Sequence, residues 1–194
     1  SSDPADKPLV QDVFRGELSA PGETSRRAKA AGDELARLGY HAQVEPLSDA
    51  VALFHINGER QAIRYVDGAF QIGDRSCPAA LLIETARTSP ASFSPNVLLR
   101  PIVQDALFPT VAYVAGPNEL AYLGQLRGVY AHFGLPMPLM YPRATATLVD
   151  SAAARFLTKY EVPLETLQPR DDAGLNALLK AQIPETVDRA LEHA

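Results

Sequence analysis

The stretch VALFHINGERQAIRYVDGAFQIG, residues 51–73, alternates apolar and polar side chains around two dipeptides, Asn57-Gly58 and Asp67-Gly68. Asn-Gly and Asp-Gly accept the positive φ angles of a two-residue turn, whose twist matches that of the strands on either side. The stretch therefore predicts an antiparallel β meander from about 51 to 73, with HAQVEPL before it as a short extra strand. A chain committed to such a meander needs helices or a second sheet to cover its apolar face.

Helices are expected on both sides. Leu9, Val10, Val13, Phe14 and Leu18 recur at helical spacing in residues 3–18, with Pro8 near the front. Thr24 suits the cap of a second helix carrying Ala28, Ala31, Leu35 and Leu38, and Gly39 suits its stop. Ser76 and Pro78 suit the start of a third, through Leu81, Leu82 and Thr85. Residues 94–96 read as a turn before a helix to Phe108, in which Pro101 is tolerable only in the first turn or at a kink.

The next pattern changes period. TVAYVAG is a continuous apolar run, which predicts a strand buried on both faces. A helix with the stripe Leu120, Leu123, Leu126, Tyr130 and Phe133 follows, with Asn118 as cap and Gly134 as stop, and PMPLMYP reads as a second buried strand. Strand, helix, strand is a βαβ unit, so the two strands should be parallel with a right-handed crossover. ATATLVD reads as a further strand, Asp150 or Ser151 as the cap of a helix to about Tyr160, and residues 171–194 as an amphipathic helix.

Charge and composition exclude several functions. A net charge of −5, with no cluster of Lys or Arg, gives a nucleic-acid backbone little attraction. No apolar run reaches the ~20 residues needed to span a bilayer, so no membrane partner is expected, and the single cysteine suits a reducing cytoplasm. The first methionine is Met137, so residue 1 is not expected to be a natural translation start.

Neither phosphate-loop motif is present, nor CxxC nor HExxH, and the four scattered histidines read as structural rather than as metal ligands. Cys77, at the expected helix start, would have its thiolate favoured by the helix dipole; the simpler reading is a structural thiol. Asn96, Arg100, Gln104 and Asp105 form the densest polar group in an apolar frame. On a helix Arg100 and Gln104 share a face with Asp105 at its edge, and a guanidinium beside an amide can grip a carboxylate or phosphate at two points. In the alternative reading Arg100 pairs with Asp105 and Asn96 caps the helix. Gly116 ends the first parallel strand, where open α/β sheets bind ligands, and free N–H groups at Asn118 and Glu119 would offer an anion seat. Tyr113 and Tyr122 read as core with wet hydroxyls.

The run FSPNVLLRPIVQDALFPTVAYVAGPNELAYLGQLRGVYAHFGLPMPLMYPRATATLV, residues 93–149, resembles the cysteine ligase family of bacillithiol biosynthesis, enzymes proposed to add cysteine to glucosaminyl-malate. The resemblance implies a Rossmann-like core with Asn96, Arg100, Gln104, Asp105, Gly116, Pro117 and Glu119 near its ligand crevice, and it assigns no catalytic residue and no metal. It also implies ATP as cosubstrate of the full-length parent, cysteine and a malate glycoside as substrates, and a homodimer through a helical coiled-coil arm. Family members are longer and begin with a nucleotide-binding half, so this chain is expected to be a central-to-C-terminal fragment, inactive alone.

The expected fold class is thus α/β: a partial Rossmann-like core (parallel βαβ) with an inserted antiparallel β meander and a C-terminal amphipathic helix. The expected divisions are 1–40, a helical lead-in to the core; 41–75, the β insertion; 76–168, the Rossmann-like segment; and 169–194, the start of the arm. Two other functions fit the same features: a non-catalytic assembly domain associating through its last helix, and an unrelated nucleotide-binding α/β module.

Overall fold

The two expected hairpin turns set the architecture. In the computed structural model of the chain, which describes residues 4–167, 176, 177 and 180, Gly58 and Gly68 take φ of 76° and 82° and Asp67 takes 50°. Strands β1 (Ala50–Asn57), β2 (Glu59–Val66), β3 (Ala69–Ile72) and β4 (Arg75–Pro78) follow as a meander, and β5 (Phe93–Pro95) pairs with the other edge of β1. The five-stranded antiparallel sheet has the order β4-β3-β2-β1-β5. The meander is one strand longer than expected, because Gly73 at φ 57° permits a third turn.

Helices α1 (Gln11–Ser19), α2 (Glu23–Arg37), α3 (Ala79–Thr88) and α4 (Arg100–Leu107) accompany this sheet. Residues 4–10 ahead of α1 are a 3-10 turn rather than α-helix, with Pro8 inside it and unable to donate. Phe14, Leu18, Leu53, Ile63, Phe70, Leu82, Phe93, Leu98, Leu99 and Ile102 close into one apolar core. Burial of a large apolar side chain contributes about 1.5–3 kcal/mol each, which is what holds helices to sheet.

Several local expectations are corrected. Thr24 does not cap α2; Gly22 precedes the helix in a left-handed conformation, and the Thr24 hydroxyl donates instead to Glu17. Ser76 and Cys77 lie in β4 and not at a helix start, since α3 begins at Ala79 with Pro78 as its cap residue. Residues 94–95 are paired strand rather than turn. Pro101 does sit in the first turn of α4, where its missing N–H costs nothing.

HAQVEPL forms no strand. The side chain of Gln125, fully buried, takes its place as partner: Val44 N–H donates to Oε1 at 3.0 Å, and Nε2 donates to the Val44 carbonyl at 2.8 Å and to the Ala28 carbonyl at 3.2 Å. Gly32 makes room for it, because a Cβ there would lie 2.8 Å from Gln125 Nε2. Replacing Gln125 with Leu removes these bonds while keeping the bulk. The expected cost is about 2–4 kcal/mol, as Val44 loses both partners. Chemical denaturation measures it, and hydrogen exchange should show lost protection at the Val44 amide; unchanged protection would exclude the bridging role.

The parallel unit is present. Strands β6 (Ala112–Ala115) and β7 (Leu139–Pro142) pair in parallel, Ala112 opposite Leu139 and Ala115 opposite Pro142. The crossover is two helices, α5 (Pro117–Leu123) and α6 (Arg127–His132), because the stripe breaks at Gly124, and Gly134 ends it at φ 66°. The strands are not buried on both faces as expected. Val114 is 58% exposed, Leu139 67% and Tyr141 61%, since each strand has a single neighbour among the described residues.

The chain divides into two units, residues 1–144 and 145–194. In the second, ATATLVD is not a strand. Asp150 caps α7 (Ser151–Tyr160), its side chain accepting the Ala153 N–H at 2.7 Å, and the Phe156 and Tyr160 rings meet at a tilt one helical turn apart. The helix expected from 171 lies outside the described residues, save that 176, 177 and 180 are helical.

Candidate functional site

Helix α4 starts where the Asn96 side chain tightens the chain: Oδ1 accepts the N–H groups of Leu98 (2.9 Å) and Leu99 (3.2 Å). That uses the acceptor end of Asn96 locally, as the capping alternative foresaw. The turn fixes Arg100 at the first position of α4, exposed and without an ion pair or hydrogen bond from its side chain among the described residues. It therefore does not pair with Asp105.

Asp105 is occupied elsewhere. The buried Tyr130 hydroxyl, on α6, donates to Asp105 Oδ2 at 2.5 Å, and Gln104 Nε2 approaches Oδ1 at 3.5 Å. Burial, with the hydrogen bond to Asp105 adding to it, pushes the Tyr130 hydroxyl far above its ordinary pKa, so it stays protonated and remains a donor. This bond ties α4 to the crossover. Tyr113 on β6 and Tyr122 on α5 stand beside it. Burial raises the Tyr122 hydroxyl too, followed by the proximity of Tyr113 and Glu119, while Arg100 opposes the shift. Arg100 is thus close enough to place its field on Tyr122.

At the end of β6 the backbone turn differs from expectation. Gly116, not Asn118, is the residue before α5, and Glu119 Oε2 accepts the Gly116 N–H at 2.9 Å. The expected anion seat is therefore filled by the protein's own carboxylate, and α5 has only seven residues to supply a dipole. Arg143, just after β7, crosses above the same point. Its backbone N–H donates to the Ala115 carbonyl at 2.8 Å, and its guanidinium lies 3.8 Å from Glu119. A Cβ on Gly116 would come 2.5 Å from Arg143 Nη2, so glycine is what admits that guanidinium.

The structure thus sets Gly116, Glu119 and Arg143 together at the end of the parallel pair, joins Gln104 and Asp105 to Tyr130, places Arg100 near Tyr122, and leaves Asn96 in the turn that starts α4. Neither Tyr130 nor Arg143 was singled out from sequence. Tyr130 read as one apolar position of a helical stripe. Arg143 carried no motif, although its place directly after the second parallel strand was a topological signal. With Asp105 engaged by Tyr130 and Glu119 by Gly116, the groups left to meet a small molecule are the guanidiniums of Arg100 and Arg143, which suit a carboxylate. Among the described residues no group of three His, Cys, Asp or Glu could hold a metal, and no helix is long and apolar enough to cross a membrane.

A parallel βαβ unit joined to an α-helical layer, with polar side chains gathered at the carboxyl end of its strands, defines a Rossmann-like α/β protein. Residues 1–144 match the family model described as bacillithiol biosynthesis BshC, N-terminal Rossmann-like domain. Relatives named "Putative cysteine ligase BshC" include those of Prosthecochloris aestuarii, 41% identical over 162 residues (81% of this chain, 28% of the relative), and Salinibacter ruber, 38% over 186 (94% and 33%). That of Thermus thermophilus is 36% identical over 155 residues, 80% of this chain and 32% of the relative. The chain belongs to the BshC family. It spans about a third of the length of these relatives.

Proposed function

We propose that this chain is the later part of the Rossmann-like domain of a ligase that joins cysteine to glucosaminyl-malate in bacillithiol biosynthesis, with the root of a helical arm behind it. The reaction forms a C–N bond between a carboxyl group and an amine. The observation that carries the reading is Arg100: an exposed guanidinium without a partner among the described residues, set by the Asn96 turn at the start of α4 and near Tyr122. A fixed cation of this kind binds the malate or the cysteine carboxylate in two-point fashion, with Gln104 orienting it. Arg143 adds a second cation whose reach Glu119 limits. Activity in the cytoplasm, with the full-length protein as the active form, fits the same reading.

ATP use by the full-length protein follows from the family resemblance, and the turn at Gly116 does not suit a triphosphate. Glu119 fills the backbone donor there and repels phosphate oxygens, so no step is routed through nucleotide at this turn. What these residues do is bind and orient an acid. Positively charged donors fixed beforehand also stabilise negative charge that develops on a carboxyl oxygen under attack.

Thermal-shift binding with the full-length protein tests the function. Cysteine, malate or nucleotide at a hundred times its Kd adds about 2.7 kcal/mol to stability, a rise of several degrees in Tm. The absence of any shift with all three rejects the ligase reading. Association through the last helix is the rival, and it predicts instead an oligomer that light scattering shows to be lost when residues 171–194 are deleted.

A further inference from the structure

The inner face of the antiparallel sheet carries a second group of reactive side chains, remote in sequence from the Arg100 cluster. In the register of the sheet, Cys77 stands opposite Phe70, Arg75 opposite Ile72, and Ile72 opposite Ile63. Residues opposite each other share a face, and so do alternate residues of one strand. His55, paired with Gln61 two positions from Ile63, therefore lies on the same face as Cys77 and Arg75. The three wall one hollow of about 150 Å³, with Ile72 and the α3 side chains Leu81 and Leu82 as its apolar sides.

The hollow has chemistry its packing role does not use. His55 Nδ1 is enclosed without a hydrogen-bond partner among the described residues, which is rare for a buried ring nitrogen. Burial lowers the His55 pKa and the charge of Arg75 adds to the effect, so the ring is neutral near pH 7 and able to accept a proton. Cys77 is only partly covered, and its sulfur makes one long contact, 3.7 Å, to the Pro78 carbonyl. A thiol, a neutral imidazole and a guanidinium thus wall a space the size of a few heavy atoms, which offers a nucleophile, a proton acceptor and a charge that selects anions.

We infer that the hollow walled by Cys77, His55 and Arg75 is a thiol-exchange site, at which Cys77 forms a mixed disulfide with a small anionic disulfide. The Cys77 proton passes to the His55 imidazole, and the thiolate attacks one sulfur of the small disulfide. The new S–S bond forms as the old one breaks, and the departing half leaves as a thiolate that takes the proton back. Cys77 is oxidised and the departing half is reduced, so the small disulfide is the only oxidant required. Arg75 holds a carboxylate on the half that stays. The site is independent of the ligase reading and stands or falls without it.

The chain has one cysteine, so every adduct reports on Cys77. The test is intact-mass measurement of the chain at pH 7 with dithiodipropionate, which is anionic, and with cystamine, which is cationic. Dithiodipropionate should react at least about tenfold faster, and Arg75→Gln should abolish the preference, because Arg75 is the charge at the wall. Arg75 is exposed on an edge strand, so its replacement leaves the core intact. His55→Gln should slow both probes about tenfold. Equal rates for the two probes in the unaltered chain, a preference that survives Arg75→Gln, or adducts that form only in denaturant would each overturn the inference.

Discussion

Glu17→Ala is expected to destabilise the fold by roughly 3–5 kcal/mol, whereas Glu17→Gln is expected to be tolerated at neutral pH. Glu17 is fully buried on α1. Its Oε1 accepts the Ala52 N–H from β1 at 2.7 Å, and its Oε2 accepts from the Thr24 hydroxyl on α2 at 2.5 Å. One carboxyl group therefore joins two helices to the sheet, and alanine strands both partners while opening a cavity. Glutamine keeps an oxygen for Ala52 and offers an N–H to the Thr24 oxygen.

The two variants also separate by pH. Burial pushes the Glu17 carboxyl above its ordinary value of 4.5, outweighing the hydrogen bonds that would lower it. A group raised in the folded state stabilises it fully below the unfolded value, and that contribution is lost as pH climbs towards the folded value. Between these limits the native chain loses about 1.4 kcal/mol per pH unit from this group, and Glu17→Gln does not. Urea denaturation at pH 4, 5, 6 and 7 should show the Gln variant gaining on the native chain as pH rises from about 4.5. A difference that stays constant over that range would mean that Glu17 is ionised in the fold.

What the sequence disclosed follows range of interaction. The turns at Asn57-Gly58 and Asp67-Gly68, the Gly134 stop and the Asp150 cap depend on a few adjacent residues, and each stands where the residue chemistry placed it. The parallel pairing of β6 and β7 was legible because a strand, a helical crossover and a strand admit one handed solution. The misplaced elements depend on distant partners. Val44 lacks a strand because an amide 81 residues away satisfies its backbone, and nothing near residue 44 signals that. The two apolar runs read as buried strands, yet burial needs neighbours on both faces, which the described residues do not provide.

The candidate site divides in the same way. Arg100, Gln104 and Asp105 were legible as a cluster because helical spacing is local. Their uses were not: Asp105 is committed to Tyr130, 25 residues on, and the Gly116 amide to Glu119. Cys77 and His55 share a hollow only through the register of the meander, 22 residues apart in the chain.

Arg100→Gln in the full-length protein is expected to lower kcat/KM by roughly 10- to 150-fold, the equivalent of about 1.5–3 kcal/mol for a lost charge-assisted contact. Stability should hardly change, because Arg100 is exposed and makes no hydrogen bond or ion pair among the described residues whose loss would count. Arg100→Lys should recover only part of the activity, since an ammonium keeps the charge and forfeits the planar fork. The loss should fall mainly on KM if Arg100 grips a carboxylate that does not react, and on kcat if that carboxyl is the one under attack. Asp105→Asn provides the contrast: it weakens the Tyr130 bond that ties α4 to the crossover, so both stability and activity should fall together. A folded Arg100→Gln protein with native kcat/KM would remove this guanidinium from the site and leave Arg143 as the cation at the strand ends.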